Sequence, residues 1–176
     1  MSRLFGPIFQ NAYMVEDLER AMEHWSGKLG VGPFYLFPLP ITFDHIEYRG
    51  KPAEGHDLVA ACGLAYWGDI QIELIQPGTM PSPYHEFLAQ QRPGLQHLGA
   101  LAHNFDAEME AARGLGLNVA MQGALPGLRF AYLETDVGYP GAMLELIEQG
   151  PEAREMFAMI KRASIGWDGK DPVRNV

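Results

Sequence analysis

The chain has 176 residues, of which 47% are hydrophobic and 20% are charged, a balance typical of a folded domain with a buried core. The formal net charge is −9 and no basic stretch offsets it, which argues against nucleic acid or an anionic membrane surface as a partner. Cys62 is the single cysteine, so an intrachain disulfide and a Cys-based zinc cluster are excluded. The sequence starts without the apolar core of a signal peptide and contains no run of about 20 apolar residues, so we expect a cytoplasmic protein without a membrane partner.

The first predicted elements are a strand and a helix in the stretch GPIFQNAYMVEDLERAM, residues 6–22. Gln10 places a bare amide on the largely apolar strand, where burial is costly unless the amide is bound. Asp17 is a good helix N-cap because its side-chain oxygen can accept a free backbone N–H, and Asn104 stands at the same place before a second helical pattern. The first helix carries an apolar stripe at helical spacing, formed by Leu18, Ala21, Met22, Trp25 and Leu29.

The rest of the first half is predicted as strands that glycine and proline interrupt: FYLFPLP, HIEYRG and DLVAACGLAYWG. These lead to the apolar strand IQIELIQP, residues 70–77, which contains Glu73. The stretch that includes SPYHEFLAQQRPG is predicted as a linker to the second half.

The second half repeats this pattern. When RPGLQHLGALAHNFDAEM, residues 92–109, is aligned with the first stretch, His97 falls on Gln10. Later, AMLELIEQ, residues 142–149, resembles IQIELIQP and aligns Glu145 with Glu73. We therefore predict an α+β domain over residues 1–150, with module one at about 6–78, a linker at 79–92 and module two at about 93–149. Residues 151–176 are predicted as a C-terminal helix and a loosely ordered tail.

The repeat selects four polar residues at equivalent places: Gln10, Glu73, His97 and Glu145. If a pseudo-twofold axis relates the halves, these side chains can converge between them. Two buried carboxylates would repel each other, and a divalent cation removes that conflict. The donor set is oxygen-rich and would leave positions for water or substrate on an octahedral ion. The alternative is that the glutamine and histidine are hydrogen-bonded structural residues and that the glutamates face water.

The stretches QNAYMVEDLERAMEHW, IQIELIQP, GLQHLGALAHN and GAMLELIE resemble the vicinal oxygen chelate superfamily, in particular its glyoxalase I- and methylmalonyl-CoA epimerase-like subgroup. The resemblance implies two tandem βαβββ modules that form a cup-shaped mixed sheet around a metal site, and a homodimer. It places one divalent ion (Zn, Ni, Co, Mn, Fe or Mg) on Gln10, Glu73, His97 and Glu145. Glutamine at the first position argues against dioxygenase members, which hold iron with two histidines and a carboxylate.

Glyoxalases and the epimerase remove a proton from carbon next to a carbonyl and hold the resulting enediolate or enolate on the metal. The resemblance therefore implies a metal-dependent isomerase, epimerase or lyase that acts on a small molecule with a carbonyl group. Glu145 is the first candidate for the catalytic base, Glu73 the second, and Glu47 a third if it faces the cavity rather than solvent. The alternative function is a non-catalytic binding or sequestering protein of the resistance type on the same scaffold.

Overall fold

A computed structural model describes residues 2–53, 57–90, 93–135 and 142–176. The last two residues of the predicted linker, Gln91 and Arg92, lie outside these ranges. Within them the chain forms one curled sheet of eleven strands and four helices, which confirms the predicted α+β class. Each of the described helices falls short of the length and apolarity that a membrane crossing requires.

The strands are β1 (Ile8–Met14), β2 (Phe34–Leu36), β3 (His45–Tyr48), β4 (Lys51–Pro52), β5 (Val59–Trp67), β6 (Ile70–Pro77), β7 (Gly94–Leu101), β8 (Val119–Leu125), β9 (Leu128–Leu133), β10 (Met143–Gln149) and β11 (Val173–Asn175). The helices are α1 (Leu18–Leu29), α2 (Pro83–Gln90), α3 (Phe105–Gly114) and α4 (Pro151–Ser164).

The strand order makes the internal repeat visible. It runs β11-β2-β5-β6-β1-β7-β10-β9-β8-β3-β4, with the antiparallel pair β1–β7 at the centre. On one side of this pair, β6 lies parallel to β1 and is followed by β5 and β2. On the other side, β10 lies parallel to β7 and is followed by β9 and β8. The two halves thus build equivalent four-stranded units that join along their first strands.

Helices α1 and α3 begin at the residues that the sequence predicts as N-caps. The Asp17 side chain accepts a hydrogen bond from the Arg20 backbone N–H at 3.0 Å, and Asn104 accepts one from Ala107 at 3.1 Å. Each cap satisfies a donor that the first helical turn would leave free. The buried side chains Leu18 and Met22 then fix α1 against the sheet of the first half, in the core formed with β5 and β6.

Two connections reach beyond the repeat. Strand β3 comes from the first half but pairs with β8 of the second, with Ile46 opposite Gly123, so its hairpin with β4 extends the far edge of the sheet. At the other edge, β11 runs parallel to β2 after α4 has packed on β5 and β10. Both connections bring apolar side chains over the concave region, including Phe43 and Phe157.

Candidate metal centre

The four repeat-selected side chains come from the four central strands: Gln10 from β1, Glu73 from β6, His97 from β7 and Glu145 from β10. The pairing of these strands brings the four side chains together. Ala12 lies opposite Glu73 on one side and His97 on the other. Gly99 occupies the equivalent place in the second half, opposite Glu145 and Gln10.

Small residues therefore separate the polar side chains in both halves of the sheet: Ala12 in the first half and Gly99 in the second. Ala12 is fully buried, and a Cβ built on Gly99 would lie only 2.9 Å from the Cβ of Gln10 and collide with its amide oxygen. Since real Cβ atoms essentially never approach this closely, the absent side chain of Gly99 leaves the room that the Gln10 amide fills. The repeat thus encodes both the polar side chains and the space for them.

His97 and the two glutamates converge, and one buried polar atom beside them stays unpaired. His97 is completely buried, and its Nε2 lies 3.2 Å from Glu145 Oε2 and 3.4 Å from Glu73 Oε2. Among the described residues, the buried Gln10 Oε1 has no hydrogen-bond partner, and the contacts of His97 Nε2 with the two carboxylates fall short of hydrogen-bond geometry. Buried polar atoms of this kind are rare because each unpaired atom costs free energy, so the cluster calls for a further group.

A divalent cation fits the cluster. Ligand atoms from Glu73, His97 and Glu145 all lie within 4.8 Å of one another. Two ligand atoms on a common ion at about 2.1 Å sit roughly 3.0–3.4 Å apart, which is the spacing of the His97 nitrogen from the two carboxylate oxygens. Gln10 Oε1 adds a neutral oxygen donor, so the set matches the borderline-to-hard divalent ions.

Two further glutamines orient the neutral donors. Gln10 Nε2 donates to Gln71 Oε1 at 2.7 Å, which fixes the amide and leaves its oxygen, Oε1, free to bind a further group. His97 Nδ1 lies 2.7 Å from Gln96 Oε1, an atom that can only accept, so Nδ1 is a donor and Nε2 is the nitrogen that can give its lone pair to an ion after losing its proton. Gln71 and Gln96 are both buried. Such outer partners usually hold metal ligands in place, and sequence reasoning missed both.

A tyrosine pair supports the carboxylate side of the cluster. The Tyr132 ring packs edge-on against His97 with their centroids 4.9 Å apart, and its hydroxyl lies 2.8 Å from the hydroxyl of Tyr84. Tyr132 is also one of the groups that lower the pKa of Glu145, against the larger effect of burial. On the opposite side, the Cys62 thiol donates to Glu73 Oε1 at 3.5 Å. The sequence reasoning assigned none of these three residues to the site.

The pKa values reflect the close charges. Burial opposes a charge on His97, but the carboxylates of Glu145 and Glu73 outweigh it and raise the pKa of the imidazole to about 9. Burial, together with the charge of Glu73, raises the pKa of Glu145 despite the attraction of His97. Burial likewise raises the pKa of the Cys62 thiol well above its ordinary value. In the protein without an ion, the centre therefore retains protons that a cation would displace.

The polar centre opens into an apolar cavity of about 100 Å³. Gln10, Glu73 and Glu145 line one end of it, and 16% of the Glu73 side chain is exposed. Much of the remaining wall is aromatic or aliphatic and includes Phe37, Ile41, Phe43, Leu128, Phe130 and Phe157. A small molecule in this cavity would place one end at the polar centre and the other among these apolar groups.

Glu47, the third candidate base, lies elsewhere. It is half-buried on β3, pairs across the strands with Gln122 and accepts a 2.7 Å hydrogen bond from the amide of that residue. Glu47 is not among the described residues that line the cavity. The structure thus brings Gln10, Glu73, His97 and Glu145 together and keeps Glu47 apart from them.

The sequence model of the Glyoxalase/Bleomycin resistance protein/Dioxygenase superfamily matches residues 9–132. The chain belongs to this superfamily. The comparison with curated proteins returned no match.

Solved structures share the fold. Methylmalonyl-CoA epimerase from Mycobacterium tuberculosis is 22% identical, with a TM-score of 0.61, and the match covers 88% of this chain and 95% of the epimerase. Methylmalonyl-CoA epimerase from Streptomyces coelicolor, in complex with 2-nitronate-propionyl-CoA, is 18% identical with a TM-score of 0.56, over 82% of this chain and 98% of that one. The family model confirms the superfamily resemblance of the sequence.

Proposed function

We propose that this chain is a divalent-metal-dependent isomerase, epimerase or lyase that removes a proton from carbon next to a carbonyl group. The observation that carries the proposal is the cluster of His97 Nε2 and two carboxylates at the end of a cavity, together with the buried Gln10 Oε1, which has no hydrogen-bond partner among the described residues. The likeness to methylmalonyl-CoA epimerases supports the same class of chemistry.

Gln10, Glu73, His97 and Glu145 would hold one divalent ion from the set Zn, Ni, Co, Mn, Fe and Mg. When bound, the ion supplies a Lewis acid that stabilises negative charge on a carbonyl oxygen. The protein positions the donors in advance, because Gln71 and Gln96 fix the orientations of the Gln10 amide and the His97 ring. The apolar wall keeps water away from the reacting carbon.

Glu145 is the candidate base in this proposal. Its carboxylate is buried at the polar end of the cavity. It would act as a base by loosening from the ion and accepting the proton of the substrate. Glu73 lines the same end and is the second candidate for moving a proton, whereas Glu47 would first have to leave Gln122 and enter the cavity.

A non-catalytic sequestering function is the weaker alternative. A protein that only encloses a small molecule needs the apolar wall but not two carboxylates buried beside an imidazole. Those carboxylates are costly to bury without a cation, so their presence favours the catalytic proposal.

The experiment measures deuterium exchange next to the carbonyl. Zn-, Co- or Ni-loaded protein is incubated in D₂O with a panel of 2-substituted aldehydes, ketones and thioesters, and loss of the α-proton is followed by NMR. We expect Glu145→Gln to slow exchange by at least about 100-fold, since proton transfer by a positioned side chain contributes roughly 10²–10⁴-fold. Glu110→Gln, an exposed change on α3 with the same chemistry, is the control and should leave the rate unchanged.

Metal content by elemental analysis and the circular dichroism spectrum accompany both variants. A Glu145→Gln protein that retains its fold and full exchange activity would remove Glu145 from the mechanism. Wild-type protein that takes up no divalent ion would overturn the metal-dependent proposal as a whole.

A further inference from the structure

The residues that line the cavity indicate the charge of the molecule that it binds. Among the described residues that line it, the charged side chains are Glu73 and Glu145, and arginine and lysine are absent. Two carboxylates balance a divalent cation, while His97 and Gln10 contribute neutral donors. A loaded centre built from these four residues thus has no surplus positive charge to attract an anionic group of a substrate.

Two basic side chains outside the cavity lining are paired with carboxylates. Arg49 forms ion pairs with Glu86 and Glu134. Lys161 on α4 lies 2.6 Å from Asp69.

The apolar wall of the cavity is suited to an apolar substituent. Phe43 comes from the connection before β3 and packs with its centroid 6.1 Å from that of Phe130 on β9. Phe157 adds an aromatic face from α4, so three separate parts of the chain contribute rings to one wall. An engineered apolar cavity of about 150 Å³ binds benzene, and the cavity of about 100 Å³ is of comparable size.

We propose that the substrate is an uncharged carbonyl compound whose small apolar or aromatic substituent occupies this wall. This inference rests on the proposed function, because the carbonyl group is assigned to the polar centre by that function. An anionic substituent would lose its hydration in the cavity without gaining a cation, and burial of an unpaired charge is strongly unfavourable. Thioesters and conjugates whose recognition depends on carboxylates or phosphates inside the cavity are thereby disfavoured.

Two matched chelators test the inference by binding alone. Benzohydroxamic acid and 4-carboxybenzohydroxamic acid share one metal-binding head and differ in the charge of the ring substituent. Calorimetry on the Zn-loaded protein should show at least tenfold tighter binding of benzohydroxamic acid, whose ring carries no charged substituent. Equal or tighter binding of the carboxylated compound would overturn the proposal.

A charge substitution in the wall sharpens the test. Ile41 lines the cavity and is half-buried, so Ile41→Lys can place an ammonium group near the ring substituent. This variant should narrow or reverse the preference for benzohydroxamic acid. Ile165→Lys is the control, because Ile165 is 76% exposed and outside the lining, and it should keep the wild-type preference. A preference that Ile41→Lys leaves unchanged would argue against this wall as the binding surface.

A second pair separates this inference from the proposed function. Acetophenone and 4-acetylbenzoate are compared on metal-free protein by saturation-transfer NMR, a measurement that needs no ion. Preference for acetophenone without any metal uptake would refute the metal-dependent function and retain the apolar, uncharged ligand class. Metal uptake with preference for 4-acetylbenzoate would refute the ligand class and retain the metal centre.

Discussion

The amide of Gln10 owes its position to the missing side chain of Gly99. The two residues lie opposite each other on β1 and β7, and a Cβ on Gly99 would lie 2.9 Å from the Cβ of Gln10. We predict that Gly99→Ala displaces the Gln10 amide and weakens divalent-metal binding by about 10- to 100-fold. This is the range seen when a residue that positions a metal-binding side chain is changed. Isothermal titration with Zn²⁺ measures the change.

Gly114→Ala is the matched control for this substitution. A Cβ at Gly114, at the end of α3, would meet nothing within 4 Å, so this variant should bind metal as the wild type does. Unchanged metal affinity in Gly99→Ala would show that Gln10 is not a ligand, and the ligand assignments would then rest on Glu73, His97 and Glu145.

The sequence allowed the four central residues to be selected because each has a partner in the repeat. Gln10 aligns with His97, and Glu73 aligns with Glu145. The orienting glutamines were missed because the repeat does not preserve them: Gln71 aligns with Met143, and Gln96 aligns with Phe9. Their role follows from hydrogen bonds across the sheet, which a single sequence does not display.

At the scale of elements, the N-cap of α1 allows the predicted start of this helix to be tested independently of the metal centre. Asp17 accepts from the Arg20 backbone N–H at 3.0 Å at the start of a helix that packs on β5 and β6. Asp17→Ala should lower the free energy of unfolding by about 1 kcal/mol, since loss of an N-cap costs roughly 0.5–2 kcal/mol. Urea denaturation measures this value. Glu23→Ala, an exposed change in the same helix, should have almost no effect, and equal losses in both variants would contradict the cap assignment.

The elements that the sequence predicts least well are those that depend on distant pairing. Residues 45–48 have the pattern of a strand, but nothing in that pattern shows that β3 joins β8 of the other half. Helix α2 lies within the segment predicted only as a linker, and β11 forms in the polar tail by pairing with β2. Short strands with few apolar residues have little intrinsic preference, so tertiary contacts decide their structure.

At the scale of the whole molecule, the centre joins the two halves. Gln10 and Glu73 belong to the first half, His97 and Glu145 to the second, and the halves meet along β1 and β7. A ligand that binds only the folded state stabilises it in proportion to the logarithm of its concentration. A divalent ion held by all four residues would therefore stabilise the entire domain rather than one module.

The homodimer that the family resemblance implies stays a prediction, which sedimentation equilibrium can test.

The last prediction concerns the pH dependence of the metal-free protein. The pKa of His97 is about 9 in the folded protein because the nearby carboxylates outweigh the effect of burial, against an ordinary value of 6.5. The folded state therefore binds the proton more tightly than the unfolded state does. Proton binding by His97 therefore contributes its full stabilisation below pH 6.5, and this stabilisation is lost as the pH rises through 9. We expect the free energy of unfolding in EDTA to fall by on the order of 2 kcal/mol between pH 6 and pH 8.5.

Urea denaturation across this range measures the effect, and the upper limit avoids ionisation of the Cys62 thiol, whose pKa burial raises. His97→Gln keeps a polar side chain but cannot titrate, so its unfolding free energy should vary much less over the same range. Addition of Zn²⁺ should also flatten the wild-type profile, because the ion replaces the proton on Nε2. If the unfolding free energy of the wild type in EDTA does not vary with pH, the two carboxylates do not hold a proton on His97. The inferred electrostatic coupling between His97 and these carboxylates would then be wrong.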